Sequence, residues 1–173
     1  MQHLKLKRTP EEMKENYDAA FAEIIDVEKG YVNNPDDPGG ETKYGVCKRQ
    51  YPDEDIPNMT LERAKFLFKR DYWDVCKCDE LPSPLDLFVF DAAINQGCDE
   101  KANFATQKLL QKTLGVAQDG ILGRDTMSKA RNAGKGTCAH FMANRALRYT
   151  GTRNADKFLF GWFTRLFNIS MGK

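Results

Sequence analysis

Between Asn33 and Gly40 the chain reads Asn-Asn-Pro-Asp-Asp-Pro-Gly-Gly, a run through which neither a helix nor a strand ladder can continue. Each proline lacks a backbone donor, and the paired glycines add backbone freedom that regular structure must suppress. Regular structure therefore has to stop before this run and restart after it. Upstream, Thr9-Pro10-Glu11-Glu12 is a helix start: a capping hydroxyl, proline at the first helical position and acids at the positive end of the dipole. Tyr17, Ala20, Phe21, Ile24, Ile25 and Val27 then recur at helical spacing, and Gly30 is the expected stop. Downstream, Thr42 to Val46 suits a short strand.

From Thr60 onward the pattern is helical. It predicts helices over about 60–77, 83–96, 99–114, 124–133, 135–150 and 154–168. Thr60, Ser83 and Asn154 are candidate caps, with Pro84 at a favoured first position. Gly115 to Gly123 reads as a loop, and residues 115–120 are the best subdomain boundary. No internal repeat or low-complexity tract interrupts this. The expected fold is mostly α, with one small irregular or β element near residues 31–50.

Composition narrows the function. The 173 residues are 41% hydrophobic and 29% charged, as expected of a globular chain. Lys and Arg total 26 against 25 Asp and Glu, a net charge of +1 that argues against a nucleic-acid partner. No apolar run approaches the roughly 20 residues of a membrane span. The basic start, Met1 to Arg8, is not followed by an apolar stretch, so no secretory signal is expected. Five cysteines (Cys47, Cys76, Cys78, Cys98, Cys138) cannot all pair, and reduced thiols are the expectation. Cys76-Lys77-Cys78 has no histidine nearby, the histidines being His3 and His140, so no metal site is expected.

The chemistry concentrates around Glu28. At the predicted end of the first helix it lies near the negative pole of the helix dipole, with Val27 and Tyr31 placed to desolvate it. Both effects raise a carboxyl pKa, as a general acid working near neutrality requires. Asp36 and Asp37 follow 8 and 9 positions later, Thr42 follows 14 later and Tyr44 follows 16 later. A carboxyl that protonates a leaving oxygen, with a second carboxylate or hydroxyl that holds water, is a glycosidase arrangement. A solvated helix-end glutamate followed by an ordinary turn is the other reading of the same spacing.

Glu28-Lys29-Gly30-Tyr31, continuing through Val32-Asn33-Asn34-Pro35-Asp36-Asp37-Pro38-Gly39-Gly40-Glu41-Thr42-Lys43-Tyr44-Gly45-Val46, resembles the signature of glycoside hydrolase family 108. Members of that family are N-acetylmuramidases, phage endolysins among them. The resemblance runs over roughly residues 18–165 and implies a lysozyme-like helical domain. It also implies cleavage of the β-1,4 bond between N-acetylmuramic acid and N-acetylglucosamine. The family's catalytic glutamate sits in a Glu-Gly-Gly-Tyr box, which assigns the acid to Glu28. Lys29 departs from that box and would lower the Glu28 pKa if its amine reached the carboxyl. Cys47 stands where Ser or Thr is usual. The resemblance makes Asp36 or Asp37 the second carboxylate, without choosing between them, and gives Thr42 the attacking water. Tyr31 and Tyr44 become substrate-binding candidates, with packing the alternative for Tyr44.

Asp91-Ala92-Ala93-Ile94-Asn95-Gln96-Gly97 is similar to a family Asp-x-Ala-x-Asn-x-Gly stretch. Asp91 and Asn95 share a helix face and either line the glycan cleft or join helices in the core. Residues 104–130 resemble the family's peptidoglycan-binding region through Ala105 to Leu110, Gln118 to Gly123, and Thr126. Packing a loop onto a small helical unit is the alternative there. Trp73, Trp162, Phe158, Phe160, Phe163 and Phe167 are sugar-stacking or core residues, with Trp73 expected to be the more exposed.

The resemblance thus implies a muramidase catalytic region over 1–102, with a helical peptidoglycan-binding subdomain, 103–173, packed on it. The implied partner is the peptidoglycan glycan strand, and the expected state is a monomer with no metal or organic cofactor. Without an export signal, the expected route is accumulation in the host bacterial cytoplasm and holin-dependent release, with action at the periplasm and cell wall. A lytic transglycosylase and a non-catalytic wall-binding or secretion-accessory protein are the rival readings. Retention or inversion depends on a carboxyl separation that sequence does not supply.

Overall fold

The computed structural model describes residues 10–25, 30–33, 39–153 and 155–172. Among them are seven α-helices and one short hairpin: α1 (Pro10–Ile24), β1 (Thr42–Lys43), β2 (Val46–Cys47), α2 (Leu61–Phe68), α3 (Leu85–Gln96), α4 (Ala105–Leu114), α5 (Arg124–Ala130), α6 (Lys135–Thr150) and α7 (Ala155–Met171). The expected mostly α fold with a small β element is the fold found.

Helix α3 is central. It is apolar on nearly every side, with Leu85, Phe88, Val89, Phe90, Ala92 and Ala93 all buried, and it packs against α1, α4 and α6. A helix apolar all round requires neighbours all round. One end of the core is aromatic: Trp73 meets Tyr17 and Phe90 edge-on, each with ring centres 5.3 Å apart, and Phe21 meets Phe68 at 5.7 Å. The same core continues through Leu110, Met127 and Phe141 to Ile169. It therefore crosses residue 102 without a break.

Several elements differ from the sequence expectations. Helix α1 ends at Ile24, not at Gly30, and its last turn closes with Ile25 N donating to Phe21 O. The 60–77 helix is interrupted. Thr60 caps α2 as expected, accepting from Arg63 N at 3.1 Å, but the helix widens into a π turn over Lys69–Trp73 and ends in a 3-10 turn over Cys78–Glu80. The widening leaves Trp73 fully buried, with its indole N–H donating to Asp79 Oδ1 at 2.8 Å. That overturns its expected exposure. Ser83 does not cap α3, because Pro84 itself occupies the cap position.

Helix α4 begins at Ala105 rather than 99. Asp99 Oδ1 accepts from Ala102 N, and Asn103 and Phe104 turn left-handed. The segment is then stitched to α4: Thr106 Oγ1 donates to Gly97 O at 2.8 Å and Gln107 Nε2 to Cys98 O at 2.6 Å. Helix α6 spans the expected residues, 135–150. The expected cap Asn154 lies outside the described residues.

Thr42 to Val46 forms a hairpin, not a single strand. Thr42 pairs with Cys47 and Lys43 with Val46. Tyr44 and Gly45 turn at φ +49° and +77°, the positive values that a two-residue turn needs to match strand twist. Val32 adds a third rung, exchanging both backbone hydrogen bonds with Thr42. Val46 is buried, and the turn packs on the helical core: a Cβ on Gly45 would lie 3.2 Å from Phe68 and 3.3 Å from Ile25.

Candidate active site

Glu28, Asp36 and Asp37 lie outside the described residues, so the site is seen through what borders them. Tyr31 precedes Val32, the residue that bridges to Thr42 of the small sheet. Thr42 is half-buried, and its Oγ1 donates to Gly40 O at 3.2 Å. The hydroxyl's lone pairs remain able to accept from a water or a sugar. Tyr31 is exposed and donates to Glu41 Oε1 at 2.8 Å. That bond to a carboxylate, aided by partial desolvation, holds the phenol above its ordinary pKa.

Glu41, within the motif, is thereby the residue that orients the Tyr31 ring. Tyr44 takes the first turn position, half-buried against the core, with the Lys43 ammonium 5.6 Å from its ring centre. Lys43 Nζ and Lys48 Nζ donate to Pro57 O and Glu54 O, each at 2.8 Å, and tie the hairpin to the loop before α2.

Asp91 and Asn95 stand on α3, but only Asn95 reaches the surface. Asp91 is fully buried and its carboxylate is occupied. Arg145 of α6, also fully buried, donates to Oδ2 at 2.6 Å. Arg165 of α7 donates through Nε to Oδ1 at 2.8 Å, and Asn95 Nδ2 reaches the same oxygen at 3.1 Å. With no surface to offer, Asp91 does not touch a sugar; it joins α3, α6 and α7. The cleft reading gives way to the helix-joining one because two arginines far along the chain close over it.

Helix α7 borders this region with two depressions. One, of about 310 Å³, lies between Glu23 and Ile24 at the end of α1 and Gly161, Thr164 and Arg165. The other, of about 230 Å³, is lined by Asn95 and Gln96 of α3, Arg148 and Tyr149 of α6, Thr152, and Trp162 of α7. Trp162 and Phe158 remain candidates for sugar contact. Phe160 and Phe167 are exposed, whereas Trp73 is buried in the core.

The 115–123 loop is organised by the buried Gln111. Its Nε2 donates to Asp119 Oδ1 at 2.6 Å and Ile121 O at 3.0 Å, and its Oε1 accepts from Gly120 N at 2.8 Å. Gly120 holds φ +83°, where a Cβ would meet Phe104 at 2.8 Å. This is the packed-loop alternative for that stretch. All five cysteines are unpaired, Cys47 half-buried and the rest buried. Burial pushes the Cys78 thiol well above its usual pKa, and the Cys76 thiol is raised by its hydrogen bond with Cys98 and by burial. No cluster of three metal-ligating side chains occurs among the described residues.

Comparison with known proteins bears on these residues together. The glycosyl hydrolase 108 family model matches residues 21–97. Over this segment the chain is similar to that family. The segment spans every candidate from Glu28 to Asn95. Residues 98–173 lie outside the match, which is shorter than the 18–165 span expected from the motifs. No curated protein matches the chain. Among solved structures, Brucella abortus SagA superposes with a TM-score of 0.74 over 95% of both chains at 24% identity. The mostly helical architecture is thus shared with that structure along nearly the whole chain. No helix among the described residues is long and apolar enough to cross a membrane.

Proposed function

We propose that this chain is a glycoside hydrolase, an N-acetylmuramidase that cuts the β-1,4 bond between N-acetylmuramic acid and N-acetylglucosamine in peptidoglycan. The observation that carries the reading is the family match, whose span takes in the Glu28 box and the hairpin of Thr42 and Tyr44. Glu28, protonated, gives its proton to the glycosidic oxygen as the bond breaks. Asp36 or Asp37 balances the positive charge that develops on the sugar ring, and Thr42 holds the attacking water. Tyr31, Tyr44 and Asn95 are the proposed sugar contacts. Helices α4 to α7 are proposed to hold the glycan strand alongside. The proposed setting is phage-type lysis: a monomer that accumulates in the host cytoplasm and reaches the wall through a holin.

Purified peptidoglycan tests the reaction. Wild type is expected to clear a suspension and release fragments with hydrated reducing muramic ends. Glu28→Gln is expected to lose at least about a hundredfold in rate, in the range general acid catalysis contributes, with an unchanged melting curve. Full activity in a folded Glu28→Gln variant removes the assignment, and anhydro-muramic ends move it to a lytic transglycosylase. Co-expression with a holin tests the route: lysis that requires both proteins supports it, and lysis without the holin removes it.

A further inference from the structure

Helix α7 is apolar on two faces, and the fold uses one of them. Leu166 and Ile169 are buried, Trp162 stacks on Tyr149, and Arg165 reaches inward to Asp91. On the opposite side, Phe160, Phe163, Phe167 and Met171 recur at intervals of three, four and four, the spacing of a single helix face. Phe160 is 86% exposed, Phe167 65% and Met171 58%. Phe163, between them in sequence, is half-buried. A surface helix of a globular domain ordinarily turns polar residues outward. An apolar stripe about 16 Å long that faces water instead marks an interaction surface.

Charge is as unevenly placed as the apolar surface. Residues 1–125 hold 17 Lys and Arg against 24 Asp and Glu, a net charge of −7. Residues 126–173 hold nine Lys and Arg against one acid, Asp156, a net charge of +8. The overall value of +1 hides this division. Four of the nine cations have partners within the protein. Arg145 and Arg165 hold Asp91, Arg131 pairs with Glu80, and Lys129 donates to Leu114 O and Gly115 O. Arg148, Arg153 and Lys157 are exposed, from the last turn of α6 to the first turn of α7, and lead into the stripe.

An apolar stripe beside a cluster of cations fits a surface that is anionic at its headgroups and hydrocarbon beneath them. Cations hold the phosphates while apolar side chains enter the boundary with the acyl chains. A nucleic-acid duplex would meet the cations and leave the stripe in water. A second copy of the chain would cover the stripe, but Phe160, Phe167 and Met171 together expose roughly 400 Å², half of the ~800 Å² per partner that a standard interface buries.

We infer that the outer face of α7 is a docking surface for an anionic phospholipid bilayer. Phe160, Phe167 and Met171 enter the interface, and Arg148, Arg153 and Lys157 hold headgroup phosphates. The inference does not depend on the glycan-cleaving reading: docking survives whether or not Glu28 acts on peptidoglycan.

The test sediments the full chain with two kinds of vesicle, phosphatidylcholine alone and an equal mixture of phosphatidylcholine and phosphatidylglycerol. Binding to the mixed vesicles is expected to be at least about tenfold tighter, and to weaken as salt is added. Phe160→Ser combined with Phe167→Ser is expected to weaken it by about tenfold or more, because affinity scales with the apolar area inserted. Arg153→Glu combined with Lys157→Glu is expected to weaken it as much and to flatten the salt dependence. All four positions are exposed, so both variants are expected to melt as wild type does.

Equal binding to the two kinds of vesicle, or binding to neither, overturns the inference, and that comparison needs wild type alone. Vesicle binding that the serine variant leaves undiminished also overturns it, by reducing the surface to a patch of cations. A wild-type dimer in light scattering that the serine variant dissolves assigns the stripe to a second copy instead. Binding to a duplex oligonucleotide as tight as to the mixed vesicles, and indifferent to the serine substitutions, assigns the cations to nucleic acid.

Discussion

Asp91 holds two guanidinium groups with one carboxylate, and one of them, Arg145, is fully buried. Removing one partner of such a group leaves a charge in the interior with no counterion, which costs far more than a surface pair is worth. Asp91→Ala is expected to lose about 3–5 kcal/mol in urea unfolding, the range for breaking buried pairs. Asp119 works differently, at the surface. It accepts from the Ile121 backbone N–H and from Gln111, and these hydrogen bonds hold its carboxyl below the ordinary value of 3.8. A group whose folded pKa is depressed stabilises the fold above its unfolded value, and that contribution is lost as pH falls through the folded value. Wild type is therefore expected to exceed Asp119→Ala in stability near neutrality. The gap between them should narrow as pH drops below 3.8, as read by thermal melts across an acid series. A gap independent of pH removes the Asp119 charge from the account.

At the scale of elements, two glycines set the joints. Gly97 closes α3 at φ +82°, and a Cβ there would sit 2.3 Å from that of Ala102. Neither the backbone angle nor the space admits a side chain. Gly45, in the hairpin turn, holds φ +77° with its nearest side-chain atom at 3.2 Å. Left-handed backbone alone costs an ordinary residue about 1–2 kcal/mol. Gly45→Ala is expected to lose about that much, and Gly97→Ala more, because overpacking adds to the same strain. Melting curves of the two variants give the order, and a larger loss at Gly45 contradicts it.

For the whole molecule, the continuity of the core governs behaviour. Leu110, Met127, Phe141 and Ile169 pack in one cluster with Phe21, Trp73 and Phe90. Residues 1–102 and 103–173, whatever roles they divide, share one interior. A single calorimetric transition is expected for the full chain, with calorimetric and van't Hoff enthalpies in agreement; two resolved transitions contradict it. Much of this design was legible in the residues themselves. Apolar periodicity marked α6 to the residue, and the Glu28 box pointed to the family whose model matches. Such signals are local, set by neighbours within a turn or two of backbone. Two features were not legible: the π turn that buries Trp73 and the closure of two arginines over Asp91. Arg145 and Arg165 lie 54 and 74 positions from Asp91. Whether a polar side chain on α3 meets sugar, arginine or nothing depends on which distant helix packs over it, and no spacing along α3 encodes that.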